Sequence, residues 1–98
     1  MKKNNRRIDD SAMYRAFLTL RTEEEVKAFL EDLCSITELR AMEQRFDVAV
    51  LLEKGWIYND ILEATGASSA TISRVNRSLR YGADGYAIAF SRMKDEEK

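Results

Sequence analysis

Apolar residues recur along the chain at helical spacing. After Thr22 they fall at positions i, i+3, i+4 and i+7, the pattern of an amphipathic helix, and a shorter pattern beginning near Asp9 to Ser11 predicts a helix before it. No segment alternates apolar and polar residues for long enough to predict a strand. The sequence therefore predicts an all-α fold of five or six helices. The apolar faces of the first two consist of Met13, Ala16, Phe17 and Leu20, and of Val26, Phe29, Leu30 and Leu33.

Two capping boxes mark where helices begin. In a capping box a Ser or Thr and a Glu three residues later each satisfy a free backbone amide of the other. Thr22 and Glu25 have this spacing, and so do Ser35 and Glu38. The second box opens the longest predicted helix, which runs to about Lys54 and ends at the next glycine.

Two short helical patterns separated by Gly66 have the spacing of a helix-turn-helix over about residues 58–81. Gly66 can adopt the positive φ that a short turn between roughly perpendicular helices often requires. Ser68 is suited to cap the second helix. The residues expected to pack the two helices together are Ile61, Leu62, Ile72, Val75 and Leu79.

Once the inner face of the second helix is assigned, helical geometry identifies the residues of its outer face. Small residues at its start allow close approach to a groove, and helix N-terminal amides favour phosphate. Arginines then follow, which are suited to phosphate or guanine contacts. A solvated helix face without any nucleic-acid partner fits the spacing equally well. The residues predicted to face DNA are Ser68, Ser69, Ala70, Thr71, Ser73, Arg74 and Arg77, with Arg80 at the back.

Charge is segregated along the chain, although the net charge is only −1. Residues 1–20 carry +3, residues 21–63 carry −6, and residues 64–82 carry +3 from three arginines without an acid. A polyanion would be attracted to the two basic segments and repelled by the acidic middle. The first segment is predicted to supply a mobile arm that contacts phosphates through Lys2, Lys3, Arg6 and Arg7.

The 98-residue length predicts one domain. Residues 1–8 are expected to form a flexible basic arm, residues 9–93 a helical DNA-binding and dimerisation domain, and residues 94–98 a charged tail. A chain this short builds a small core, and its apolar first two helices predict packing against a second copy in a homodimer. The sequence has neither a leader pattern nor a long apolar run, so we expect a cytoplasmic protein without a membrane partner.

Cysteine and histidine usage limits the chemistry available to the chain. With one cysteine and no histidine there is no intrachain disulfide, no thiolate metal cluster and no imidazole base. We therefore expect no metal, no cofactor and no enzymatic activity. Cys34 is expected to be a small buried hydrophobe. Trp56 is expected to anchor the following helix by packing.

Two segments together resemble a known family. "ELRAMEQRFDVAVLLEKG" and "ATGASSATISRVNRSLRYG" resemble the Trp repressor superfamily, and the chain looks closest to the Trp-repressor-related proteins of the YerC/YecD type. The resemblance covers roughly residues 12–92, and its most specific part is "ATISRVNRSL". It implies an all-helical, intertwined homodimer whose two helix-turn-helix units bind successive major grooves of double-stranded DNA.

The resemblance also raises the question of a co-repressor. The positions that hold tryptophan in the Trp repressor match Ser35, Arg45, Arg74 and Ser78, which form a candidate ligand pocket. However, the glycine that follows the second arginine in that repressor is Val75 here, whose methyls would intrude on an indole ring. Tryptophan is therefore not the expected ligand. Arg45 and Arg74 either pair with acidic side chains or bind a different small carboxylate.

The sequence thus predicts a sequence-specific, DNA-binding transcriptional regulator, with repression as the expected mode of action. The alternative is an interaction module that docks the same helix pair onto a protein and never binds DNA. A steep loss of affinity with rising salt distinguishes DNA binding from such a salt-insensitive protein complex. An enzyme is the weakest alternative, because no set of nucleophile, base and orienting group is visible.

Overall fold

The computed structural model describes residues 9–96, which form six α-helices and no strand. The all-α prediction is therefore confirmed for this part of the chain. The six helices are α1 (Ala12–Thr19), α2 (Glu23–Leu33), α3 (Ile36–Glu53), α4 (Tyr58–Thr65), α5 (Ser69–Tyr81) and α6 (Gly85–Glu96).

The described residues divide into two compact units, one up to Leu39 and one from Arg40 onward, with the division inside α3. In the first unit, the rings of Phe17 in α1 and Phe29 in α2 pack edge to face with centroids 5.0 Å apart. Yet no residue of α1 or α2 is buried. Of the apolar faces predicted for these helices, Leu33 is half exposed and the other residues are partly buried.

Both predicted capping positions begin helices in this unit. The hydroxyl of Thr22 accepts from the amide of Glu25 at 3.1 Å. Glu25, however, accepts from the amide of Arg21 at 2.7 Å and not from that of Thr22, so the predicted return bond is wrong by one residue. The backbone amide of Arg21, the residue before the N-cap, is the donor that the Glu25 carboxylate reaches.

The capping box at α3 is complete. Ser35 accepts from the amide of Glu38 at 3.1 Å, and Glu38 accepts from the amide of Ser35 at 2.7 Å. Chiefly this backbone bond, with the Ser35 side chain adding to it, lowers the pKa of Glu38 below its ordinary value. The ionised carboxylate therefore stabilises the start of α3.

The second unit contains the hydrophobic core. Apolar residues of α3, α4, α5 and the turn between α4 and α5 meet there. Phe90 of α6 packs at the edge of this core and lies 5.7 Å from Phe46 of α3, ring centroid to ring centroid. Helices α4 and α5 are thereby held against the end of α3. The buried core residues are Val48, Ala49, Leu52, Ile61, Ala67, Ile72 and Val75.

Glycines follow the ends of three helices, and they adopt two different backbone conformations. Gly55 follows α3 and Gly66 caps α4, both with positive φ, of 87° and 74°. Gly82 caps α5 in an extended conformation with φ −86°. Glycine is needed at position 82 because there is no space for a side chain: a Cβ on Gly82 would lie 2.3 Å from the carbonyl oxygen of Ser78.

No helix within residues 9–96 is long and apolar enough to cross a membrane.

Candidate nucleic-acid interface

The turn between α4 and α5 is fixed by hydrogen bonds around Thr65. Its hydroxyl donates to the carbonyl of Ile61 at 2.7 Å and accepts from the amide of Ala67 at 3.1 Å. Its carbonyl accepts from the side-chain amide of Gln44 in α3 at 3.1 Å. Gly66 closes the turn in the left-handed region. Because Gln44 of α3 hydrogen-bonds the turn directly, the start of α5 is held in place against the core.

The first turn of α5 is capped as predicted. The hydroxyl of Ser68 accepts from the amide of Thr71 at 3.1 Å, and the two hydroxyl oxygens lie 3.1 Å apart. This satisfies one of the free amide groups at the start of the helix. The remaining N-terminal amides are available to an anion.

The inner face of α5 packs largely as the sequence predicts. Ile72 and Val75 are buried in the core, and Leu79 packs against it. Ile61 of α4 is also fully buried. Leu62 is 42% exposed, so the prediction that it packs α4 on α5 is wrong. Its neighbour Ile61 occupies the side of α4 that faces the core.

The outer face of α5 is open over its whole length. All the residues predicted to contact DNA project from it except Thr71, which is partly buried at the boundary between the two faces. The face carries three cations and no acid. The exposed residues are Ser68, Ser69, Ala70, Ser73, Arg74 and Arg77, together with Arg80.

The arginines of this face have no acidic partner among the described residues. Within residues 9–96 the ion pair that forms joins Arg15 and Asp9, in the first unit. Neither Arg45 nor Arg74 pairs with an acid in this range, so the predicted acidic partners are absent from the described residues. An arginine without a carboxylate partner keeps its five N–H donors for phosphate or a base edge.

The four candidate ligand residues have different surroundings. Ser78 lines an open groove of about 440 Å³, with Phe46 and Tyr86 among its other walls. Arg45 and Arg74 are exposed and do not line this groove. Ser35 serves as the cap of α3. A common pocket for these residues stays a prediction.

Val75 is buried in the hydrophobic core and does not line the groove that contains Ser78. It is 2% exposed and belongs to the hydrophobic core. Its methyl groups therefore fill space within the protein that a glycine would leave open. Within residues 9–96, no group of three His, Cys, Asp or Glu side chains is placed to hold a metal ion.

Other predictions fall partly or wholly outside this face. The basic arm, with Lys2, Lys3, Arg6 and Arg7, lies outside the described residues. Cys34 is only half-buried, so the prediction that it is buried is wrong. Trp56 keeps 44% of its surface exposed, although it was expected to pack beneath α4.

The sequence did not indicate the role of Gln44. This residue connects α3 to the turn across 21 positions of sequence. A glutamine on a long polar helix gives no local signal for such a bond. The contact shows that the orientation of α5 depends on α3 as well as on the turn itself.

Six helices with a capped helix-turn-helix and an open, acid-free second helix define a small, all-helical helix-turn-helix protein. Residues 11–94 match the family model described as Trp repressor protein. The chain therefore belongs to the Trp repressor family.

Individual relatives agree with this assignment. The uncharacterized protein YerC of Bacillus subtilis (strain 168) is 45% identical over 85 residues, which are 87% of this chain and 82% of YerC. The crystal structure of a TrpR-like protein from Eubacterium eligens ATCC 27750 matches with a TM-score of 0.80 and 50% identity. That match covers 84% of each chain.

Proposed function

We propose that the protein is a homodimeric, sequence-specific transcriptional repressor that reads the major groove of double-stranded DNA with α5 in the cytoplasm. The observation that carries this proposal is the contrast between the two faces of α5. Ile72 and Val75 are buried, whereas Arg74 and Arg77 are exposed on a face that has no acid. Such a helix is anchored on one side and presents base-reading side chains on the other.

The start of α5 suits close approach to DNA. Ser69, Ala70 and Ser73 are small and exposed, so the backbone of the first turns can enter a groove. The helix dipole and the free N-terminal amides favour a phosphate at the same end. Arg77 lies two turns from the start and extends the contact along the groove.

Two copies are proposed because the first unit leaves the apolar faces of α1 and α2 only partly covered. No residue of α1 or α2 is buried, although Phe17 and Phe29 already pack against each other. Covering such surface contributes roughly 25 cal/mol for each Å² of apolar area, from which the entropic cost of association is subtracted. A two-fold dimer would present two α5 helices to half-sites about one helical turn apart.

We propose that the dimer binds its operator without tryptophan. Val75 is part of the packed core, and it holds α5 in place without a bound ring. Overpacking a site with extra methyl groups typically costs about 1–3 kcal/mol. A cost of that size would weaken a micromolar ligand to roughly a hundred micromolar.

Selection of bound sequences from a random duplex pool tests this function. The expected result is a two-fold symmetric consensus whose half-sites are about 10 base pairs apart. Binding of the selected duplex should weaken steeply as the salt concentration rises. A pool that yields no consensus, together with salt-insensitive binding of a protein partner, would favour the adaptor alternative.

A further inference from the structure

The last residue of α5, Tyr81, is an aromatic side chain that its own chain leaves open. It is 85% exposed, and no other large apolar side chain within residues 9–96 is more exposed. Among the described residues, its hydroxyl has no hydrogen-bond partner and its ring packs on no other ring. Single exposed apolar side chains are common on protein surfaces. The position of Tyr81 on α5, and not its exposure alone, therefore indicates what it contacts.

Tyr81 lies in the middle of the outer face of α5. Positions 70, 74, 77 and 81 are spaced by four, three and four, so they lie on one side of an α-helix. The other three positions hold Ala70, Arg74 and Arg77, which are exposed and are among the residues predicted to contact DNA. Tyr81 continues this row by one more turn, on the side of α5 opposite the core. The sequence analysis did not include it, because a tyrosine at a helix end carries no charge signal.

The backbone at Tyr81 is regular helix, so the direction of its side chain follows from the row. The amide of the next residue, Gly82, still bonds the carbonyl of Ser78 at 2.9 Å, which is the helical pattern. A helix rises about 1.5 Å per residue, and Tyr81 thus lies about 16 Å beyond Ala70 along the helix axis.

This length decides which part of a duplex Tyr81 would meet. The major groove is about 12 Å wide, and a recognition helix directs its N-terminal residues to the base edges. With the first turn of α5 at the base edges, a residue about 16 Å further along a straight helix lies beyond the groove. Tyr81 would therefore face the sugar–phosphate backbone at the border of the groove.

The chemistry of tyrosine suits a phosphate at this position. Its hydroxyl donates a hydrogen bond, and tyrosine is among the side chains that contact phosphate oxygens in DNA complexes. The C-terminal end of a helix carries a partial negative charge that disfavours an anion. Arg80 in the last turn of α5 and Arg77 one turn before Tyr81 offset this charge, and residues 64–82 contain no acid.

We propose that the hydroxyl of Tyr81 donates a hydrogen bond to a backbone phosphate of the bound DNA. The inference rests on the proposed function, since it requires α5 to enter the major groove. A phosphate contact carries no sequence information, so this bond strengthens binding to every duplex alike. A neutral hydroxyl also displaces no counterion, in contrast to a lysine or an arginine.

Substitution of Tyr81 tests the contact through affinity and through its salt dependence. Tyr81→Phe keeps the ring and removes the hydroxyl. We expect it to weaken operator and scrambled duplexes by a similar factor, roughly tenfold, because a hydrogen bond to a charged group is lost. The slope of log K against log salt should equal that of the parent, whereas removal of residues 1–7 should make it shallower. Fluorescence anisotropy at several salt concentrations measures both quantities.

The matched control is Ile88→Ala, which removes a half-exposed apolar side chain of α6 and should bind both duplexes like the parent. An equal loss in this control would overturn the Tyr81 contact. Parental affinity of Tyr81→Phe for both duplexes, with operator binding weakened in Arg74→Ala, would overturn the contact and leave the DNA-binding function standing.

The remaining outcomes identify other roles for Tyr81. A loss of affinity for the operator alone would place its hydroxyl at a base edge, and a shallower salt slope would mean that the substitution acts through the neighbouring arginines. Sedimentation of Tyr81→Ala as a monomer, with a dimeric parent, would mean that a second copy covers the ring. Each of these results would overturn the phosphate contact. A parent protein that binds no duplex would overturn the proposed function together with this contact.

Discussion

The hydroxyl of Ser68 caps α5 by accepting a 3.1 Å hydrogen bond from the amide of Thr71. The bond fixes the first turn of the helix that presents the basic face. We expect Ser68→Ala to lower the free energy of unfolding by about 0.5–2 kcal/mol, because an N-terminal amide loses its partner. Denaturant unfolding measures this. Ser69→Ala is the matched control and should have little effect, and equal losses in both variants would contradict the assignment.

Removing an arginine of the outer face should weaken operator binding. We expect Arg74→Ala and Arg77→Ala each to cost about 1–3 kcal/mol of specific binding if the side chain reads a base edge. Arg92→Ala removes an exposed arginine of α6; this variant is the matched control and should bind like the parent. Fluorescence anisotropy with operator and scrambled duplexes measures both affinity and specificity. Parental affinity in both α5 variants would show that another surface contacts DNA.

Removal of residues 1–7 should affect DNA binding in a different way. Phosphate contacts carry no sequence information, so operator and scrambled duplexes should weaken by similar factors. Fewer counterions would be released on binding, and the slope of log K against log salt should become shallower. A loss of affinity for the operator duplex alone would mean that residues 1–7 contact base edges.

Tryptophan should not act as a co-repressor. Since Val75 is buried in the core, we expect L-tryptophan to change operator affinity by less than tenfold. Titration of L-tryptophan into protein with labelled operator measures the change, and scrambled DNA is the control. A gain of tenfold or more at modest concentration would show that the pocket accommodates the ring despite the valine.

The α3 cap should make stability depend on acid pH. Because the pKa of Glu38 is lowered by its bond from the Ser35 amide, its stabilisation is complete above the ordinary value of 4.5. The stabilisation is lost as the pH falls through the lower folded-state pKa. We expect Glu38→Gln to destabilise the chain at pH 7 and to differ less from the parent at pH 3. A difference that is independent of pH would contradict a role for the ionised carboxylate.

Local signals in the sequence were sufficient to predict most helix ends and the anchored face of α5. Ser35 and Glu38 are three residues apart, so their bonds depend on little beyond one helical turn. The mispredicted positions depend on more distant geometry. Glu25 selects between two amides according to how the loop enters α2, and Gln44 bonds a residue 21 positions away.

Leu62 was mispredicted for a related reason. Helical periodicity shows which residues share a side of α4, but not how far the core extends around the helix. Ile61 fills the core side, and Leu62 is left at its edge. Charge and spacing predicted the exposed basic face of α5, because exposure is the default for arginine. The cover of an exposed apolar residue, in contrast, can lie in another molecule.

Gly82 sets the length of the helix that carries the arginines. Any side chain there would collide with the carbonyl oxygen of Ser78, and this oxygen also accepts the capping bond from the Gly82 amide at 2.9 Å. A substitution must therefore distort the last turn of α5 or move the start of α6. Substitutions on the exposed basic face of α5 leave the buried contacts of this helix unchanged. Position 82 does not tolerate a side chain. Proteins with this fold are therefore expected to differ in the exposed residues of α5 and to keep a glycine at position 82.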